Sequence, residues 1–127
     1  MINFVLHPQK GDWEVSCFIE NFSDSEISFA LMECGAKEHD LSRLLQKYRR
    51  GAKNGGFTFS NIKDRISVVA VYHSTSISQL LNSLIHEFRH LERHICQVDG
   101  IDPYSEGASY LAGDIVGEVA KNLFATK

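Results

Sequence analysis

The chain has 127 residues, 43% hydrophobic and 23% charged, with a formal net charge of −3. That is enough apolar material for one domain with a real core, without room for a second. The slightly acidic balance excludes the electrostatic footprint of a nucleic-acid binder, and no run approaches the roughly 20 apolar residues of a membrane span.

The opening stretch "MINFVLHPQKGDWEV" lacks the basic region and long apolar run of a secretory signal, so a cytoplasmic protein is expected. Cys17, Cys34 and Cys96 are odd in number and far apart, with no CxxC, and read as reduced structural thiols.

In chain order, residues 2 to 6 can form a strand. Trp13, Val15, Cys17 and Ile19 alternate with more polar neighbours, and after the turn-like "NFSDSE" Ile27, Phe29 and Leu31 alternate again. This pattern predicts a β-hairpin over 13–33. Leu41, Leu44, Leu45 and Tyr48 fall at i, i+3, i+4 and i+7, which predicts a short amphipathic helix between Asp40, a candidate N-cap, and Gly51 as its stop. The basic cluster from Lys47 to Lys53 lies at the end of that helix, where cations complement the dipole, and reads as a solvated face.

"KNGGFTFSN" reads as a turn and a short strand at 57–60. "RISVVAVYH", residues 65–73, is a nearly unbroken β-branched run, the pattern of a strand central in its sheet. After N-cap candidates in "STSIS", helical periodicity runs over 77–98 until the Gly and Pro of "DGIDPYS". A last helix is predicted at about 105–125, capped by Ser105. The elements make an α+β domain, with an antiparallel or mixed sheet packed against two C-terminal helices.

The stretch "LIHEFRHLERH", residues 84–94, carries the chemistry. With successive residues about 100° apart, Leu80, Leu81, Leu84, Phe88, Leu91, Ile95 and Val98 form one apolar stripe. His86, His90 and His94 form an adjoining stripe, Glu87 lies between it and the core, and Arg89 and Arg93 fall on the far side. His86 and His90 stand one turn apart, about 6 Å between Cβ atoms, so both imidazoles can reach one ion while Glu87 holds a metal-bound water. This is the HExxH arrangement. A chance HExxH is expected in roughly one shuffled chain of this composition in fifty, so context decides its meaning.

A catalytic zinc needs a third protein ligand. His94 lies two turns from His86, about 12 Å along a straight helix, too far to share the ion. Glu106 is a better candidate, because the sharp "DGIDP" reversal would return it alongside the histidine helix. Its face of the last helix, with Ser109, Gly113 and Gly117, consists of small residues that permit close approach. Asp99 and Asp102, in the reversal, are alternatives, and Glu106 could instead simply complement its own helix N-terminus.

"SLIHEFRHLERHI" after the strand "ISVVAVYH", followed by "SEGASYLAGDI", resembles the zincin metallopeptidases, closest to their compact glutamate-ligand branch in small phage, prophage and bacterial proteins. The resemblance covers roughly residues 57–125. The expected organisation is one domain over 1–127, an N-terminal hairpin and helix (1–56) outside the resemblance followed by a zincin-like core (57–127). The resemblance implies zinc held by His86, His90 and Glu106, with Glu87 as general base and the short 57–60 strand binding an extended peptide at its edge. Candidate transition-state or supporting groups are Tyr110, Tyr104, His73 and His94.

Two functions follow as expectations. One is a zinc-dependent hydrolase cutting a peptide or related amide bond, with a peptide or protein substrate and neither nucleic acid nor membrane as partner. The other is a catalytically inactive, zincin-like, phage-related interaction protein with a structural metal or none.

Overall fold

A computed structural model describes residues 2–124. In chain order the elements are β1 (Ile2–Leu6), β2 (Glu14–Ile19), α1 (Asp24–Glu33), α2 (Glu38–Arg49), β3 (Gly56–Asn61), β4 (Ile66–Val71), α3 (Ile77–Asp99) and α4 (Glu106–Phe124). The strands form one open sheet in the order β1-β2-β4-β3. β1 with β2 and β3 with β4 run antiparallel, whereas β2 and β4 run parallel. The domain is α+β with a mixed sheet.

The β-branched run of β4 occupies an interior position, paired on both sides, and Ser67 to Tyr72 are all buried. A strand covered on both faces has no polar side to show, which explains the missing alternation. Parallel pairing of β2 with β4 requires a long crossover, and the segment containing α1 and α2 provides it. Strand alternation then sorts the core into two layers. Val15, Cys17, Ile19, Val69 and Val71 face α3 and α4 through Leu84, Phe88, Leu91, Ala108, Leu111 and Ile115. Phe18, Phe57, Val68, Ala70 and Tyr72 face α1 and α2 through Ile27, Leu31, Leu44 and Leu45.

The three cysteines are free and buried. Burial raises the Cys17 thiol pKa and pushes that of Cys34 up to about 11, so both pack as small neutral hydrophobes.

The predicted hairpin over 13–33 does not form. The antiparallel partner of β2 is β1, and residues 24–33 are helical. Ser23 and Glu26 close a capping box, with Glu26 N–H donating to Ser23 Oγ at 3.1 Å and Ser23 N–H to Glu26 Oε1 at 2.9 Å. Ile27 and Leu31, one helical turn apart, are fully buried, while Phe29 between them is 66% exposed. The spacing 27, 29, 31 fits either a strand face or a helix face with one outlier, and the cap at Ser23 decides for the helix. β2 sits between β1 and β4. The N-terminal third is part of the sheet that carries α3. Asp40, expected as N-cap, lies inside α2, where its carboxylate accepts the Lys37 N–H at 2.9 Å.

Helix and strand readings of residues 24–33 make different predictions. Ile27→Ala should cost about 2–4 kcal/mol in urea denaturation and Phe29→Ala less than about 0.5 kcal/mol. Equal losses at the two sites would restore the strand.

Candidate functional site

α3 starts at Ser76, whose hydroxyl accepts the Gln79 N–H, and ends at Gly100 in the left-handed conformation at φ 68°. Its apolar stripe lies on the sheet, leaving two flanks. One flank meets α4, where Phe88 and Glu92 border a groove with Ala112 and Ile115. The other crosses β3, an edge strand paired with β4. In "GFTFSN", Phe57 and Phe59 turn toward α1 and α2, so alternation directs Thr58 and Ser60 at α3. A polar seam between strand and helix results.

The histidines lie on this flank. His86 and His90 are exposed, their rings are nearly perpendicular at 80°, and their Nε2 atoms are 3.3 Å apart. Two nitrogens at that separation subtend about 104° at a point roughly 2.1 Å from each, close to the tetrahedral angle of zinc. The separation is thus compatible with two nitrogens sharing one zinc ion, and it is also that of a hydrogen bond between the two imidazoles.

Glu87, between the histidines and the core, is 5% exposed. Its Oε1 accepts the Thr58 hydroxyl at 2.8 Å, and that hydroxyl is also 3.0 Å from the Glu87 carbonyl. Glu87 and His86 wall a cavity of about 380 Å³ at the start of β3, bordered also by Ser83, Gly56 and Tyr72. Gly56 is required there, because a Cβ at this position would lie 2.1 Å from the Ala70 carbonyl oxygen. Burial, and then the Glu87 charge, raise the pKa of the Tyr72 phenol, which keeps its proton as a hydrogen-bond donor.

His94 belongs to a different arrangement. Its Nδ1 is 2.6 Å from Ser60 Oγ, Ser60 Oγ is 2.7 Å from Ser67 Oγ, and Trp13 Nε1–H donates to Ser67 at 2.9 Å. An indole nitrogen can only donate, so Ser67 accepts from Trp13, and the Ser67 and Ser60 hydroxyls carry one continuous hydrogen-bonded chain on to His94 Nδ1. Burial and the neighbouring His90 hold the His94 pKa below the usual histidine value, which favours the neutral imidazole. His94 thus links α3 to β3 through Ser60, to β4 through Ser67 and to Trp13 in the loop before β2.

The structure does not bring Glu106 to the histidine pair. Glu106 is exposed in the first turn of α4, and α4 packs on the flank of α3 opposite β3. Asp99 is nine residues past His90, about 13 Å farther along the helix, and pairs with Arg65 at 2.6 Å. Asp102 accepts the Tyr104 N–H at 3.0 Å within the reversal. Among the described residues, no three of His, Cys, Asp and Glu converge to hold a metal. Tyr104 and Tyr110 are 93% and 69% exposed, the latter on α4, and His73 faces Glu20 at 3.6 Å. Sequence reasoning missed Thr58, Ser60 and Tyr72. The alternation of Phe with small polar residues in "GFTFS" was the available signal for the first two; Tyr72 had none, being one more apolar position in a buried run.

A scan of protein families, a search of curated proteins and a search of solved structures each return no match for this chain.

Ser67→Ala should leave the buried Trp13 N–H unpaired and cost about 1–3 kcal/mol in urea denaturation. It should also shift the His94 imidazole ¹⁵N resonances. A neutral substitution with unmoved resonances would show that the chain of hydrogen bonds does not hold His94.

Proposed function

We propose that the protein is a zinc-dependent hydrolase of the metallopeptidase type. The observation that carries this reading is the 3.3 Å approach of the His86 and His90 Nε2 atoms beside a buried Glu87 that borders a cavity. His86 and His90 would hold the ion, with remaining positions open to water and substrate. Zinc, when bound, polarises a carbonyl and lowers the pKa of its water to roughly 7.

Glu87 would take the proton of the attacking water at one carboxylate oxygen and give it to the leaving amine as the amide C–N bond breaks. The Thr58 hydroxyl restrains Oε1, so the carboxylate keeps one orientation through that exchange. The edge of β3 turned away from β4 has main-chain groups suited to an extended peptide added as a further strand. Tyr72 offers an O–H donor to the same cavity.

A second reading is a catalytically inactive, zincin-like, phage-related interaction protein. It is favoured by one observation, that only two candidate ligands converge among the described residues.

Elemental analysis after zinc addition separates the readings. About one zinc per chain is expected, lost in His86→Ala and in His90→Ala and retained in Glu106→Ala. Loss of zinc in Glu106→Ala would mean that α4 reaches the pair after all. Glu87→Gln should retain zinc and lower peptide hydrolysis by at least about a hundredfold; undiminished hydrolysis would remove Glu87 as the base. A native protein that takes up no zinc would leave the interaction-protein reading.

A further inference from the structure

We propose that the cavity beside His86 and Glu87 takes a carboxylate of the bound peptide, attracted by Lys47 and Lys53. This builds on the hydrolase reading and assigns its substrate class. Both lysines border the cavity, and the other bordering groups apart from His86 and Glu87 are uncharged, among them Asn54, Tyr72 and Asn82.

Two cations therefore stand against one carboxylate, in a chain whose overall charge is −3. The local sign is opposite to that of the whole protein. Neither lysine is part of an ion pair among the described residues, whereas Arg49 between them is committed to Asp24 at 2.7 Å. The dipole of α2 explains a cation at Lys47, within its last turn. It does not explain Lys53, which lies beyond the left-handed Gly51 at φ 80°.

A space of about 380 Å³ is of the size that holds a small ligand or side chain. The anionic group a peptide brings to it is a carboxylate, from an Asp or Glu side chain or from a free C-terminus. Lysine suits this role as a mobile point charge. Because both lysines are exposed, the attraction should be moderate and sensitive to salt.

The test measures fluorescence anisotropy of labelled octapeptides on zinc-treated Glu87→Gln protein, where no peptide is consumed. Three C-terminally amidated peptides carry Glu, Gln or Lys at the centre; a fourth carries Gln and a free C-terminal carboxylate. The Glu peptide or the free acid should bind about three- to tenfold more tightly than the amidated Gln peptide at low ionic strength. The Lys peptide should bind most weakly. The preference should vanish in the Lys47→Gln/Lys53→Gln double variant and at high salt. Which carboxylate carries it identifies an internal acidic residue or a chain end as the group recognised. Equal or undetectable binding of all four, or a preference that survives the double substitution, would overturn the proposal. Charge preference without any hydrolysis by the native protein would instead remove the hydrolase reading and keep this site, while hydrolysis without preference would do the reverse.

Discussion

A carboxylate buried between a helix and a sheet must find a hydrogen-bond donor, because an unpartnered polar group out of water costs kilocalories. The Thr58 hydroxyl meets that demand for Glu87 at 2.8 Å, and the geometry of the candidate site follows from it. It requires α3 to lie close to β3 and a small polar residue at position 58. Glu87 turned toward the strand puts His86 and His90 beside it on the open flank, since the three are locked at 100° steps of one helix. Farther along the same seam, His94 and Ser60 repeat the device at 2.6 Å, and the connection continues to Trp13. The edge strand and the histidine helix are thus joined at two points about two turns apart, at Glu87 and at His94.

Most of the fold was legible because its strongest signals are local. β4 announced itself by β-branching, α3 by its stripe and its caps, α4 by its Leu111, Ile115 and Val119 spacing. The hairpin expectation failed where two periodicities coincide. Ile27 and Leu31 are four apart, which is in phase for a strand and for a helix, and Phe29 made the strand look complete. The deciding residues were polar ones, Ser23 and Glu26, whose mutual hydrogen bonds satisfy the helix N-terminus. A capping box outweighs one exposed aromatic, since lone apolar side chains at a surface are common.

The candidate site was legible in part, and for a definite reason. Residues on one helix have fixed relations, so the pairing of His86 with His90 and the inward position of Glu87 follow from spacing alone. Relations between elements depend on packing, and there the sequence carried less. Thr58 is 29 residues from Glu87, and nothing local in "TFS" names its partner. Nor does "KYRRGAKN" indicate that Lys47 and Lys53 border the same cavity as His86.

Glu106 shows the same limit from the other side. The reversal at "DGIDP" does return α4 alongside α3, as the turn residues imply, but a helix has two flanks and turn chemistry does not choose between them. The choice is made by apolar area. β2 leaves Val15, Cys17 and Ile19 to be covered beside α3, and Ala108, Leu111 and Ile115 of α4 fill that space. Placing α4 on the β3 side would strand those residues in water and bury Thr58 and Ser60 under apolar side chains. Burial at about 25 cal/mol per Å² over several large side chains exceeds what one carboxylate–metal contact at an exposed site returns. The core therefore assigns α4, and Glu106 with it, to the flank away from the histidines.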